Sequence, residues 1–250
     1  MPKFFVTRED IQGNYILIHG RDVHHILHVL RKSKGDRLQI CDGKNTDYEC
    51  EILEISRAED QNICRILSKV TSRSEALVKI ALYQGLPKAD KMELILQKGT
   101  EIGVYEFVPF QSERTVVHLD SKKSDAKLER WNKIAESAAK QSGRGNIPKV
   151  QPVLSLKEAV KKAKEECQLI LVAYEAEHQN GLKQLLRKMD PVPEKIALFI
   201  GPEGGFSPGE IEIIKNAGGY AVTLGPRILR TETAGMIGAA LILYEYDQMN

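Results

Sequence analysis

Cysteine is scarce and scattered in this chain. Cys41, Cys50, Cys64 and Cys167 include no Cys-x-x-Cys pair, which argues against a disulfide scaffold or a cysteine zinc site and makes a reducing cytoplasm the simplest setting. No stretch approaches the roughly 18 consecutive apolar residues of a membrane span. The opening residues, MPKFFVTREDIQG, hold no apolar run of signal-peptide length. Internal repeats and low-complexity tracts are missing. A formal net charge of +2 is too small to announce a nucleic-acid partner for the whole chain, so any basic surface must be local. Neither the dinucleotide pattern G-x-G-x-x-G nor a P-loop Gly-Lys-Ser/Thr occurs, which argues against a doubly wound dehydrogenase and a P-loop NTPase.

What is present is a chain of 250 residues that is 42% hydrophobic, enough for one large core or two smaller ones. Residues 1–72 read mostly as strands. Tyr15–Ile18 is a short apolar run ended by Gly20, and Arg37–Cys41 precedes the turn signal Asp42-Gly43. Tyr48, Cys50 and Ile52 alternate with Glu49 and Glu51, and Ile63–Leu67 is a further strand. One short helix is expected near Asp22–Leu30. Together these suggest a small barrel or curled sheet. Thr71–Glu75 is polar and is taken as a linker.

Residues 73–250 alternate strands with helices, the pattern of a mainly parallel sheet covered by helices. Strands are expected at Leu77–Leu82, Glu106–Phe110, Gln168–Tyr174, Lys195–Ile200 and Tyr220–Leu224. Met92, Ile95, Leu96, Gly99 and Ile102 fall at helical spacing, as do Leu128, Trp131, Ile134, Ala135 and Ala138. Ser155-Leu-Lys-Glu158 is a capping box. A last helix is expected over Thr231–Tyr246, with Thr231 as its cap.

Two segments carry the chemistry. GPEGGFSPGE (residues 201–210) follows a buried strand and opens a helix, with Ser207 as N-cap, Pro208 at the first helical position and Glu210 closing the box. Its glycines allow close approach of the backbone, and ligands of open parallel sheets sit beyond the carboxyl ends of strands. Spacing alone leaves a tight turn and a ligand loop equally open. LGPRILRTETA (residues 224–234) is placed in the same way. Ile228 and Leu229 are either core plugs or an apolar wall for a purine ring. Ala234, Gly235, Gly238 and Ala239 permit close packing, either within the chain or across a dimer interface.

These two segments together resemble the signature of the RsmE family of 16S ribosomal RNA uracil-N3 methyltransferases, of the SPOUT superfamily. His25-Ile-Leu-His-Val-Leu-Arg31, Gly35-Asp36, Asp42-Gly43, Lys88-Ala-Asp-Lys-Met-Glu93, Gln97–Gly103, Glu113-Arg114 and Gln141–Arg144 resemble further blocks of that family. Ser142 departs from the cysteine expected in many members, a small-for-small change. The resemblance implies an α/β protein with an N-terminal PUA-like β-barrel (residues 1–72) and a C-terminal SPOUT domain with a trefoil knot (residues 73–250). It implies S-adenosylmethionine as cofactor, 16S ribosomal RNA or the small ribosomal subunit as partner, a homodimer, no membrane, and the uracil at position 1498 as target. Carried over by position, cofactor contacts fall on Val172, Ala173, Tyr174, Gly201, Glu203, Gly204, Leu224, Gly225, Ile228, Leu229 and Ala234.

An activated methyl group needs no metal, but a uracil nitrogen must lose its proton before it attacks. Arg230 is the candidate cation beside the resulting anion, and Glu232 the candidate proton acceptor. A plain ion pair at the start of the helix is the competing reading. For RNA, His25, Arg31, Arg114 and Arg144 are the candidates: His25 and Arg31 fall in a local basic cluster with Arg21, His24, Lys32, Lys34 and Arg37, Lys122, Lys123, Lys127, Arg130 and Lys133 form another, and Arg114, Arg144 and Lys149 add charge. His24 and His28 stand four apart, but the segment lacks the glutamate of a zinc-protease helix. A non-catalytic RNA-binding assembly factor is the rival to an enzyme.

Overall fold

Period-two alternation of apolar and polar residues builds the first sheet. The computed structural model describes residues 3–56, 60–115 and 121–249, and the side chains of Ser121, Lys122 and Lys123 lie outside the described set. Six strands, β1 (Lys3–Phe5), β2 (Ile11–Gln12), β3 (Tyr15–His19), β4 (Arg37–Cys41), β5 (Thr46–Ser56) and β6 (Gln61–Thr71), pair in the order β1-β4-β5-β6-β3-β2. All pairs are antiparallel except β1 with β4. Ile16, Ile18, Leu38, Ile40, Cys50, Ile52 and Cys64 turn inward to a common core with Phe4 and Ile26. Two register shifts between β5 and β6, at Glu49/Cys50 and Ile52/Glu54, bend the long hairpin as bulges do. Of the two expected alternatives, small barrel or curled sheet, the strands form a curled sheet. The expected helix is split: α1 (Arg21–His24) runs into a π-helical turn over His25–Val29.

The second sheet is wholly parallel. Its strands are β7 (Lys79–Gly85), β8 (Glu106–Gln111), β9 (Lys149–Val150), β10 (Leu154–Ser155), β11 (Leu169–Ala173), β12 (Lys195–Ile200) and β13 (Tyr220–Val222). They run β10-β8-β7-β12-β11-β13, with β9 also on β8. The intervening helices are α2 (Lys91–Ile102), α3 (Ser121–Ser142), α4 (Leu156–Glu166), α5 (Leu182–Leu186), α6 (Pro208–Asn216) and α7 (Thr231–Glu245). Ile80, Leu82, Leu169, Leu171, Ile196, Leu198 and Ile200 face one core, shared with α2, α3, α5 and α7. The alternate residues, Ala81, Tyr83, Ile170, Val172, Ala197 and Phe199, face a second core under α4 and α6. Apolar residues on both faces are what a sheet covered twice requires. The capping boxes at Ser155 and Ser207 both form.

The run of small residues on α7 serves packing within the chain. A Cβ on Gly238 would lie 2.8 Å from Leu198 Cδ2, and one on Gly235 would lie 3.2 Å from Leu82 Cδ2. The helix therefore sits directly on β12 and β7. Thr231 is not the cap: Arg230 holds that position, without a side-chain hydrogen bond.

The structure divides the chain differently from the expected boundary after residue 72. The first unit extends to Glu75 and includes Ala139–Ile147. Among the contacts that join these two pieces of the first unit is a buried ion pair. Arg144 donates from Nε to Glu75 Oε1 at 3.1 Å and from Nη2 to Oε2 at 2.6 Å. The amides of Gly145 and Asn146 also donate to Glu75 Oε1. Burial raises the Glu75 pKa, but Arg144 and the two amides outweigh it and hold the carboxyl below its ordinary value. The expectation that Arg144 belongs to an RNA-facing surface is therefore corrected: its side chain is 4% exposed and committed to Glu75.

Breaking a buried pair leaves an uncompensated charge. Arg144→Met should cost about 3–5 kcal/mol at neutral pH, read as a lowered unfolding midpoint. A carboxyl whose folded pKa is depressed contributes stability above its unfolded pKa and loses it as pH falls through the folded value. The gap between wild type and Arg144→Met should therefore narrow on acidification below the ordinary glutamate range. A gap that is constant with pH would show that the pair does not carry the junction.

Candidate functional site

Three loops at the carboxyl ends of the adjacent strands β12, β11 and β13 converge. The loop after β12 is Gly201–Ser207. Gly205 takes φ +66°, and its amide donates to the Pro202 carbonyl at 2.9 Å. Phe206, 1% exposed, plugs the loop into the core beside Phe110. Glu210 does two jobs: Oε2 accepts from the Ser207 amide, and Oε1 accepts from the amide of Glu113 in the segment after β8. From that segment, Arg114 Nη1 donates to the Gly204 carbonyl at 2.8 Å. Arg114 thus holds the glycine loop in place, with its side chain otherwise exposed.

The loop after β13 leads into α7. Thr231 is buried, and its hydroxyl donates to the Gly201 carbonyl at 2.6 Å while accepting from Gln84 Nε2 at 2.8 Å. Gln84 Nε2 also donates to the Gly85 carbonyl. One hydroxyl therefore ties α7, the loop after β12 and the end of β7 together. Leu229 packs partly against the core, while Ile228 is 88% exposed, so the two neighbours divide the alternatives of core plug and exposed wall between them. The loop after β11 carries Tyr174, Glu175 and His178. It is fastened to the loop after β13 by the Thr223 amide, which donates to the Asn180 carbonyl.

The loops enclose a cavity of about 690 Å³, within the range of small-molecule sites. Of the residues expected to contact a cofactor, Ala173, Tyr174, Gly201, Glu203, Gly204, Leu224, Gly225, Ile228, Leu229 and Ala234 line it. Val172 does not; it points into the core with no exposure. Arg230 lines the cavity and has no ion-pair partner among the described residues. Glu232 does not line it. Its Oε2 lies 3.4 Å from Lys91 Nζ, so the competing ion pair between Arg230 and Glu232 is not formed. Lys91, Glu175, His178 and Arg227 also line the cavity and escaped the sequence reading. Only the Lys88–Glu93 block pointed towards Lys91.

The polar wall is ordered by charge. Lys91 Nζ meets Glu203 at 2.9 Å as well as Glu232. Glu203 first, then Glu232, raises the Lys91 pKa. Burial works against ionisation of Glu203, but Lys91 and backbone amides, that of Lys88 among them, bring its carboxyl below the ordinary value.

In the first unit, His25 is half-buried against the Phe4 ring edge, and Arg31 is exposed in a left-handed conformation with φ 53°. Arg37 is paired with Glu49, and Lys32 lies 4.0 Å from Asp36. Of the second expected basic cluster, Arg130 pairs with Glu93 and Lys133 with Glu129. Both basic runs are thus partly neutralised.

Comparison with known proteins gives a consistent picture. A family model described as an RNA methyltransferase domain matches residues 74–243, and one described as an RNA methyltransferase PUA domain matches residues 18–59. The chain is 36% identical to ribosomal RNA small subunit methyltransferase E of Bacillus subtilis, over 99% of this chain and 98% of that protein. It is 30% identical to the protein of the same name from Mycobacterium bovis, over 96% and 90%. The crystal structure of a ribosomal RNA small subunit methyltransferase E from Neisseria gonorrhoeae bound to S-adenosyl methionine aligns with a TM-score of 0.83 at 30% identity, covering 98% and 97% of the two chains.

The Thr231 hydroxyl should hold the cavity together. Thr231→Val keeps the volume but leaves the Gly201 carbonyl without its partner, a cost of about 1–3 kcal/mol. Thr231→Ser keeps the hydroxyl and should melt close to wild type. Equal melting temperatures for the valine and serine variants would show that the hydrogen-bonded chain is dispensable.

Proposed function

Because the chain belongs to the ribosomal RNA small subunit methyltransferase E family, we propose that it methylates small-subunit ribosomal RNA from S-adenosylmethionine held in the three-loop cavity, at uracil N3 of 16S position 1498. The observation that carries this reading is the convergence of ten expected cofactor residues on one cavity beside the unpaired Arg230. When bound, the cofactor supplies a methyl group already activated by its sulfonium. The backbone of the two glycine-containing loops and the apolar Leu224, Ile228, Leu229 and Ala234 hold and orient it.

Neutral uracil is a poor nucleophile at its ring nitrogen, and its anion is a good one. The guanidinium of Arg230 stays charged throughout the working pH range and favours that anion. Glu232 stands behind the cavity wall against Lys91, so it accepts the proton through water and not by direct contact. The first unit presents Arg31, His25 and the exposed Arg21 and Lys34 to the RNA backbone. Arg114 acts mainly on the Gly204 loop.

The enzyme is a homodimer in this reading. The small residues of α7 are used up against the sheet, and the support comes from its other side. Ile237, Leu241 and Tyr244, at helical spacing, are 41%, 43% and 69% exposed, an apolar stripe of the kind that is normally covered. The trefoil knot is part of the same proposal. It is supported by the loops of β11, β12 and β13 meeting at one end of the sheet and by the return of α7 across β12 and β7. Among the described residues no helix is long and apolar enough to cross a membrane. The proposed place of action is the cytoplasm.

Two measurements test the proposal. With saturating RNA and S-adenosylmethionine, Arg230→Ala should lower the single-turnover rate by about 10²–10³ while leaving both affinities near wild type. The wild-type rate should rise with pH, and the variant should need a higher pH for the same rate. Wild-type kinetics in Arg230→Ala would remove this role, and a product nucleoside other than N3-methyluridine would remove the assigned target. Sedimentation should give about twice the 28.1 kDa chain mass, and Leu241→Glu should shift it towards the monomer. A wild-type monomer that methylates at full rate would end the dimer assignment.

A further inference from the structure

Among the described residues, the loop after β11 carries the one cavity-lining carboxylate without a partner. Two carboxylates line the cavity, Glu175 and Glu203. Glu203 is committed to Lys91 and to the Lys88 amide. Glu175 accepts no hydrogen bond and makes no ion pair among the described residues. Its side chain is exposed and reaches over the loop after β12. A Cβ added to Gly205 would lie 2.6 Å from Glu175 Oε1 and 3.2 Å from Oε2. The carboxylate thus lies over Gly205, whose φ of +66° favours glycine in its own right.

Strand order then decides what the carboxylate meets. β11 lies between β12 and β13, so its loop sits between the two loops that carry most of the other cavity-lining residues. The middle of S-adenosylmethionine is the ribose, which joins the base to the sulfonium. An ionised carboxylate only accepts hydrogen bonds, and its two oxygens can serve two donors at once. Vicinal ribose hydroxyls are such a pair of donors.

We infer that Glu175 is the ribose-binding residue of the cavity, accepting hydrogen bonds from both hydroxyls of the cofactor's nucleoside. The inference rests on the reading of the cavity as a cofactor site. Glu175 makes the pocket select for an intact ribose.

Calorimetric titration of the full chain with three ligands tests this. S-adenosylmethionine has ribose, ammonium and sulfonium; S-adenosylhomocysteine lacks the sulfonium; 5′-methylthioadenosine lacks both sulfonium and ammonium. Loss of hydrogen bonds to a charged group predicts that Glu175→Ala weakens all three by a similar factor of roughly 10–100. Glu175→Gln, which keeps one acceptor oxygen, should fall between. The ligand-free melting temperature should not change, since Glu175 has no partner to lose. A loss confined to S-adenosylmethionine would assign Glu175 to the sulfonium instead. A loss shared with S-adenosylhomocysteine but absent for methylthioadenosine would assign it to the ammonium. Either result, or no loss at all, overturns the inference. A wild-type chain that binds none of the three overturns the cofactor reading itself.

Discussion

The hydroxyl of Thr231 is the interaction on which the site depends. It sits between Gln84 at the end of β7 and the carbonyl of Gly201 at the start of the glycine loop. These residues are far apart in sequence and come from three different elements. In a buried setting a hydrogen bond is stronger than in water, and the same low dielectric makes an unmade one costly. The chain of bonds therefore sets where α7 begins and where the glycine loop turns. Leu224–Arg230 must then cross the cavity between two anchored ends.

Close approach of α7 to the sheet reinforces this. Gly235 and Gly238 put the helix backbone against Leu82 and Leu198, which fixes its height above β7 and β12. Its opposite side is left apolar and exposed at Ile237, Leu241 and Tyr244. One helix thus has two apolar faces for two purposes, one given to the core and one available for association. Lys91 adds an electrostatic clasp, meeting Glu203 from the glycine loop and Glu232 from the first turn of α7. The clasp occupies Glu232 and leaves Arg230 without a counterion among the described residues. A guanidinium in that state is suited to a developing negative charge.

Basic residues counted along the chain are a poor guide to the RNA surface. Arg144 is the most buried arginine candidate, and it closes the first unit through Glu75. Arg37, Arg130 and Lys133 each face an acid. Arg114 braces a backbone carbonyl. Arg31 remains exposed, in a conformation that L-residues seldom adopt. Ion pairing, some of it local and some between distant segments, removes several of the basic candidates from the charge free to meet phosphate.

By itself the sequence determined the local elements of the second unit. The continuous apolar runs at Ile80–Tyr83, Leu169–Val172 and Ile196–Ile200, the capping boxes at Ser155 and Ser207, and the helical spacing of α2 are all fixed by neighbours a few residues apart. They were legible for that reason, as were the two glycine-containing loops. The short elements were not: β1, β2, β9, β10 and α5 have two to five residues each, too few for a period to show. Tertiary structure alone decided that Glu75 and Arg144 bind each other, that Thr231 serves Gly201 and not its own helix end, that Glu232 turns to Lys91, and that Glu175 lies over Gly205. Each of these is a contact between segments brought together only when the sheet assembles. A side chain's chemistry can be read from its letter, but its partner is set by whatever the fold places within about 3 Å of it.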